Sequence, residues 1–467
     1  MRLIRIGILA LLIARAGYAQ EMTPPATQSG TPPLTAQSAD QEAEAPVAFS
    51  LEEAVAFALE HNYSAINANR DIADAEKQKW ETIASGLPQI SGAVSYQDQL
   101  KQPISLIPAE FFGGEPGTFE EIVFGPPRTM SATATLRQQI FDGSYIVGIQ
   151  ATRAFLSYSQ NNREKTEQEV RRAVVESYGN VLLARESVEL LEKDIAAVDK
   201  NLFETEKLYE NGLAEEEDVE QLQITSATLH NNLSSNQRLA EITLQMLNVT
   251  MGLPLDHPTR LTQDLDELVE QETRPELLES GFILENNVDY KLAQNLNEQR
   301  FYELKLARSR ALPTLNAFIN YGRTGFGDPL AYFDGDTQSF QSSILGFDLS
   351  IPIFSSLGRS ASTQRAKIAL EKAKTQLEET EQQLELQLKQ ARSDYTLAIE
   401  TFQTSKANLA LAERIERKNT IKYSEGLASS FELRQAQTQL YSAQREYLQS
   451  MVDVINRKTA LENILNP

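Results

Sequence analysis

Three histidines, His61, His230 and His257, are all the imidazole that this 467-residue chain offers. None stands in a spacing such as His-x-x-x-His, which would put two ring nitrogens on one helix face for a metal. There is no cysteine, so no thiol nucleophile, and neither a Gly-x-Ser-x-Gly elbow nor a phosphate-cradling glycine loop is present. Carboxylates are plentiful, but no pair stands out with the isolation that general acid and base work requires. No enzyme, metal or cofactor is expected. His61 falls where a second half of the chain carries Asn286, which reads as a polar group at a helix end.

What does recur is a turn. Tyr209 to Gln223 reads YENGLAEEEDVEQLQ, and Tyr423 to Gln437 reads YSEGLASSFELRQAQ. The two match at Tyr, at Gly-Leu-Ala and at two Gln without a gap, each inside sequence that otherwise favours helix. Gly212 and Gly426 would let the chain reverse where any side chain costs energy.

The elements that carry these turns are duplicated too. Leu59-Glu60-x-Asn62 returns as Leu284-Glu285-x-Asn287, Leu87-Pro88 as Leu312-Pro313, and Tyr96 as Tyr321, all 225 residues later. Phe141 and Phe354 are 213 apart and the turns 214 apart, so the offset drops once. One longer loop in the first copy accounts for that drop: Pro103 to Arg128, against Gly325 to Gln341. The expected organisation is a repeat over 49–254, a polar linker over 255–275 and a second repeat over 276–467. Each repeat reads as helix, two strands, then a long helical hairpin with its tip at 209–218 or 423–432. Apolar or small residues step by alternating fours and threes at Val170, Val174, Ser177, Val181, Ala184, Val188, Leu191, Ile195, Val198 and Leu202. They do so again from Leu384 through Leu388, Ala391, Tyr395, Ala398, Phe402, Ser405 and Leu409 to Ala412. A period of 3.5 is the seam of packed, left-handed supercoiled helices.

The strands are expected at about 89–100, 129–141, 313–323 and 343–354. Ile90, Val94 and Tyr96 alternate with Ser91, Ser95 and Gln97; Leu345, Phe347 and Leu349 alternate with Gly346, Asp348 and Ser350. Ten residues cross a bilayer when tilted, and apolar against polar is the pattern of a wall between lipid and water. A half-buried soluble sheet gives the same alternation. Four strands cannot enclose a pore, and lipid forbids open edges, so a membrane reading requires several chains to share one barrel.

Met1 to Ala19 has Arg2 and Arg5, an apolar run from Ile6 to Ile13, and a small-x-small end, the order of a secretory signal peptide. Gln20 to Ala48 lacks apolar periodicity and reads as a disordered leader. Without cysteine, neither disulfides nor a lipid-modified N-terminus is expected. A formal charge of −22 argues against nucleic acid as a partner.

The repeat, the two Tyr-x-x-Gly-Leu-Ala turns and the strand-to-helix stretches Ile140-Phe141-Asp142-Gly143 and Ile351-Pro352-Ile353-Phe354 together resemble the TolC family of outer-membrane efflux channels. The resemblance covers nearly everything from Phe49 to Pro467. One departure is the family's proline after the early Asn of each repeat, replaced here by Tyr63 and Val288. The resemblance implies a mainly α protein with a membrane β-barrel part. Three copies would form a 12-stranded barrel in the outer membrane of a Gram-negative bacterium, continued by an α-helical tunnel in the periplasm. Such a duct docks through a periplasmic adaptor protein onto an inner-membrane RND or ABC transporter, for efflux or type I secretion. Gly212, Leu213, Gly426 and Leu427 would be the tips that the adaptor grips. Asp218 and Tyr423 fall at gate positions and Glu432 at a ring of carboxylates. The gate's usual basic partner is Ala428 here, and a second acidic ring position is Gln435. Read from the residues alone, Asp218 and Glu432 are also carboxylates suited to a helix start, and the glycines suit any tight turn. The competing reading of the whole chain is a periplasmic coiled-coil scaffold without a pore.

Overall fold

The computed structural model describes residues 47–327 and 338–466; the expected signal peptide and residues 20–46 of the expected leader lie outside them. The chain begins with β1 (Val47–Phe49), α1 (Leu51–His61) and α2 (Tyr63–Ser85). Strands β2 (Gln89–Asp98) and β5 (Arg128–Asp142) follow, with a small hairpin, β3 (Ile104–Pro108) and β4 (Phe119–Val123), between them. Then come α3 (Gly143–Glu210) and α4 (Glu216–Met251), β6 (Thr259–Leu261) and α5 (Leu265–Glu272). The second half is α6 (Val288–Ser309), β7 (Thr314–Phe326), β8 (Ser339–Ser350), α7 (Gly358–Ser424) and α8 (Ser430–Leu465).

Helices α3 and α7 run 68 and 67 residues without a break, about 100 Å each at 1.5 Å per residue. Their stepped positions pack inward: Val174, Val198 and Tyr395 have no exposed surface, and the rest are buried or half-buried. Stability at this length comes from such packing against α4 and α8, since propensity alone leaves isolated helices marginal.

The two halves are built alike at their joints. The Asn62 side chain accepts from the Ser64 and Ala65 amides at the start of α2, while its own amide donates to the Thr250 carbonyl at the end of α4 at 2.7 Å. Asn287 does the same for α6, accepting from Asp289 and Tyr290 and donating to the Ile464 carbonyl of α8 at 3.1 Å. Each asparagine thus caps one helix and ties it to the returning arm of its hairpin, a double duty that the short amide permits.

Four expectations need correction. Residues 47 and 48 are not part of a disordered leader: β1 pairs in parallel with β6, and Phe49 enters the core. The expected polar linker 255–275 carries structure of its own. It contains β6 and α5, whose Leu261, Leu265, Leu268 and Val269 are buried with Tyr178, Met451 and Ile455. An ion pair from the buried Lys458 of α8 to Glu272 at 2.5 Å pins its end, while Lys458 also pairs along its own helix with Glu462 at 2.8 Å. Charges on the exposed half of a short helix masked these apolar anchors in the sequence. Finally, the loop 103–128 carries its own hairpin, β3–β4, and β8 spans 339–350, ending four residues before the expected 354.

Candidate functional site

Among the described residues, two regions present exposed apolar side chains: a four-stranded sheet at one end of the helices and the two hairpin tips at the other. The sheet order is β2-β5-β7-β8, all antiparallel. Side-chain alternation puts Ile90, Leu136, Ile319 and Leu345 directly opposite one another, one apolar row across all four strands. Ile90 and Leu345 are 76% and 66% exposed, a density of naked apolar surface that water does not tolerate over a whole face. The opposite face carries the rows Ser91–Thr135–Asn320 and Ser95–Ser131–Thr324, the two serine hydroxyls meeting at 2.7 Å. Phe340 and Ile344 of β8 interrupt this polar face near its far end. Charge marks the top of the apolar band: Arg128 pairs with Asp98 at 3.1 Å, and the Arg323 guanidinium donates to Ser339 Oγ at 2.8 and 2.9 Å. At the base, a register shift between Gln139 and Phe141 bulges Ile140 out of the ladder, re-aiming the strand into α3. Strands of 10 to 15 residues are long enough to cross a tilted membrane path.

At the tips, both helices end in the same Schellman motif. The Leu213 amide donates to the Leu208 carbonyl at 2.8 Å and Gly212 to Tyr209 at 2.8 Å; Leu427 donates to Lys422 at 2.7 Å and Gly426 to Tyr423 at 3.0 Å. Gly212 and Gly426 have φ of +73° and +72°, the left-handed region where a Cβ costs about 1–2 kcal/mol. The hydrophobic residue after the glycine commonly folds back on its helix in this motif. Here Leu213 and Leu427 stay 75% and 72% exposed.

The expected gate residues are placed as follows. Asp218 lies in the first turn of α4, accepting from the Glu215 amide at 3.4 Å. Glu432 completes a capping box at the start of α8, accepting from the Ser429 amide at 2.9 Å while Ser429 Oγ accepts from the Glu432 amide at 3.3 Å. Tyr423 is not hydrogen-bonded to Asp218. Its hydroxyl meets Thr205 Oγ1 on α3 at 3.1 Å, and Thr205 is only 1% exposed. This bond joins the two hairpins just above their tips. Ala428 is half-buried and Gln435 exposed. Thr205 was missed because a threonine in a helix carries no sequence mark of a cross-hairpin partner.

A second polar contact joins the hairpins higher up. Asp194 of α3 faces Tyr441 and Gln444 of α8 and Glu416 of α7. Burial pushes the Asp194 carboxyl up to about 6, an effect that Glu416 strengthens and a hydrogen bond with Gln444 only partly offsets. Tyr441 is raised by burial and by the two carboxylates.

The histidines sit apart. His61 ends α1 with its ring stacked on Phe57 and Nδ1 3.0 Å from the Phe57 carbonyl; His257 is buried 2.9 Å from Thr259; His230 lies beside Asp199. Among the described residues no group of three or more His, Cys, Asp or Glu is placed to hold a metal. No described helix is long and apolar enough to cross a membrane.

A sheet greasy on one face, wet on the other and welded to helices of some 100 Å defines an outer-membrane exit duct with its helical tunnel in the periplasm. The family model for Outer membrane efflux protein matches residues 58–253 and 282–467, and the chain belongs to that family. Its sequence is 22% identical over 339 residues to the alkaline protease secretion protein AprF of Pseudomonas aeruginosa, covering 69% of this chain and 67% of that protein. Its fold is similar to the CmeC outer membrane channel of Campylobacter jejuni, with a TM-score of 0.70, 16% identity, and 96% and 93% of the two chains covered. It is also similar to the outer membrane protein VceC of Vibrio cholerae, with a TM-score of 0.68, 16% identity, and 89% and 95% covered. Membership of this family makes the chain a conduit, not an enzyme, and rules out the poreless scaffold.

Proposed function

We propose that three copies of this chain form a 12-stranded barrel above an α-helical tunnel, giving efflux or type I secretion cargo a passive path out of the cell. The observation that carries this reading is the sheet: among the described residues its edge strands β2 and β8 have no strand neighbour on their outer sides. Open edges are forbidden in lipid, and four strands are too few to enclose a pore. Closure therefore needs further copies, and their polar faces would line the bore. The chain is two repeats, over 49–254 and 276–467, an assignment supported by the matching asparagine caps and Schellman tips.

Leu213 and Leu427, held out by the glycine turns, are the surface on which a periplasmic adaptor hairpin docks, and an RND or ABC transporter drives cargo from the inner membrane. The relative named for alkaline protease secretion favours protein cargo, while the relatives named as channels leave cargo to the pump. Glu432, repeated three times around the axis, would bring carboxylates together at the tunnel entrance and favour cations. Purified protein reconstituted in a planar bilayer tests both levels. Conductance by a detergent-solubilised trimer is expected, with cation selectivity falling in Glu432→Gln. Unchanged selectivity removes Glu432 from the gate, and a water-soluble monomer that never enters bilayers overturns the duct.

A further inference from the structure

Gln444 of α8 carries a side-chain oxygen that no described residue satisfies. The residue is only 9% exposed, and its Oε1 is buried without a hydrogen-bond partner. Buried amides are rarely left half-bonded, because an orphaned group has given up water and gained nothing for it. The Gln444 amide donates to the Asp194 carboxylate of α3, across the seam between the two hairpins. Turning the amide over does not help, since its oxygen would then face a carboxylate with no proton to offer. A proton on Asp194 satisfies both ends of the amide at once.

We infer that Asp194 and Gln444 form a proton-operated clasp between the hairpins: the protonated carboxyl donates to Gln444 Oε1 and accepts from Nε2, whereas the ionised one keeps a single bond. The proton comes from solvent and adds to one carboxylate oxygen, and no other bond breaks. In the duct proposed above, on which this inference rests, the clasp holds the hairpins together when the periplasm turns acidic. It stands apart from the gate positions Asp218, Tyr423 and Glu432, about three helical turns above Thr205 on α3.

The surroundings of Asp194 suit this role. Glu416 of α7 faces it, so ionising Asp194 sets two negative charges together. Glu416 already accepts from Thr420 Oγ1 at 2.8 Å on its own helix, which leaves Asp194 to take the proton. Tyr441 of α8 adjoins both carboxylates and packs on Ile195, Val198 and Leu229. From α4 only uncharged side chains line the groove, among them Thr225, Thr228 and Asn232. Arg434 and Arg445 of α8 line it too, but Arg434 lies over the Phe431 ring at 5.5 Å and Arg445 is exposed. On α3 itself, Lys193 pairs with Glu189 at 2.9 Å. Burial and Glu416 accordingly hold the Asp194 carboxyl up at about 6. The groove beside it encloses about 570 Å³, so protons exchange without unfolding. Hairpins that part would return Asp194 to its ordinary 3.8, and acid therefore favours the joined state. Lowering pH from 7.5 to 5 multiplies the closed-to-open ratio by about ten for each chain.

Infrared difference spectra and channel recordings on the full-length protein test the bond and its effect separately. In detergent, acidification should raise a protonated-carboxyl band with its midpoint near pH 6. Asp194→Asn should lose that band, and Gln444→Met, which keeps the side-chain length and removes both bonds, should shift it to higher frequency. A missing band, or one that Gln444→Met leaves unmoved, overturns the clasp. In a planar bilayer, the closed-to-open ratio of the unsubstituted protein should rise about tenfold or more between pH 7.5 and 5. Asp194→Asn, whose amide offers one donor and one acceptor at every pH, should open rarely at both values. Gln444→Met should increase openings more at pH 5 than at pH 7.5. Openings that ignore pH in the unsubstituted protein overturn the action on the hairpins. If the band titrates and shifts but nothing conducts, the bond stands and the duct reading itself fails.

Discussion

In the proposed duct, the contact between Thr205 and Tyr423 is one that would hold the tips closed. Their hydroxyls, 3.1 Å apart, join α3 to α7 where the expected ionic latch is unavailable because Ala428 carries no charge. A neutral hydrogen bond contributes about 1 kcal/mol, and the proposed threefold assembly would hold three. Thr205→Val keeps the side-chain shape and removes the bond, so single-channel recordings should show more frequent or larger openings than the unsubstituted protein. Identical traces would leave Thr205 a packing residue. The bond has no ionised partner, so its contribution should not vary with salt. Asp194 behaves differently. Its folded pKa of about 6 lies above the ordinary 3.8, so the fold favours the protonated form. The cost of the ionised form is complete above pH 6 and fades as pH falls from 6 towards 3.8. Solvent still reaches this carboxyl, which limits the cost at neutral pH to about 1–2 kcal/mol. Asp194→Asn should therefore raise the melting temperature at pH 7.5, with the difference closing by pH 4. A constant difference across that range would show that the carboxyl does not titrate in the seam.

The elements decide where those residues stand. Two helices of nearly equal length, each stopped by a left-handed glycine, carry the two tips at the end away from the sheet. No atom outside the chain neighbours of Gly212 or Gly426 lies within 4 Å of a built Cβ, so substitution there strains the backbone and clashes with nothing. Gly426→Val should cost about 1–2 kcal/mol locally and tilt or fray the turn that presents Leu427. Export assays should show loss while membrane insertion and trimer yield hold; normal export would remove this tip from the docking surface. The contrast with Gly252 is instructive, since its Cβ would lie 2.2 Å from the His61 carbonyl. A side chain at Gly252 should destabilise the packed body and lower the protein yield. Elements were largely legible beforehand because each has a strong period: 3.5 in the helices and 2 in the strands. The misread pieces were short. Helix α5 spans only eight residues, too few turns for a period to stand out from polar surroundings.

The largest core lies where α1, α3, α4, α5 and α8 meet, with smaller clusters along the hairpins, and it lies well away from both the tips and the sheet. Separation of this kind lets the sheet expose an apolar face without unfolding the rest, and lets tips loosen without disturbing the barrel. It also divides the work between chain and assembly. The chain forms its own sheet, caps and hairpins, while edges β2 and β8 would be completed by the further copies proposed.

The amino-acid order by itself determined the duplication, the alternating strands, the helical seams and the two glycine turns, because all of these are local in sequence and strictly periodic. Only the tertiary structure decided that Thr205 meets Tyr423 and that 255–275 is built into the core; the bonds of Glu432 and Asp218 to the starts of their own helices are local, reaching three residues back. The first two depend on which surfaces approach across separations of 218 and 186 residues, and side-chain types at such distances carry no mark of their partner.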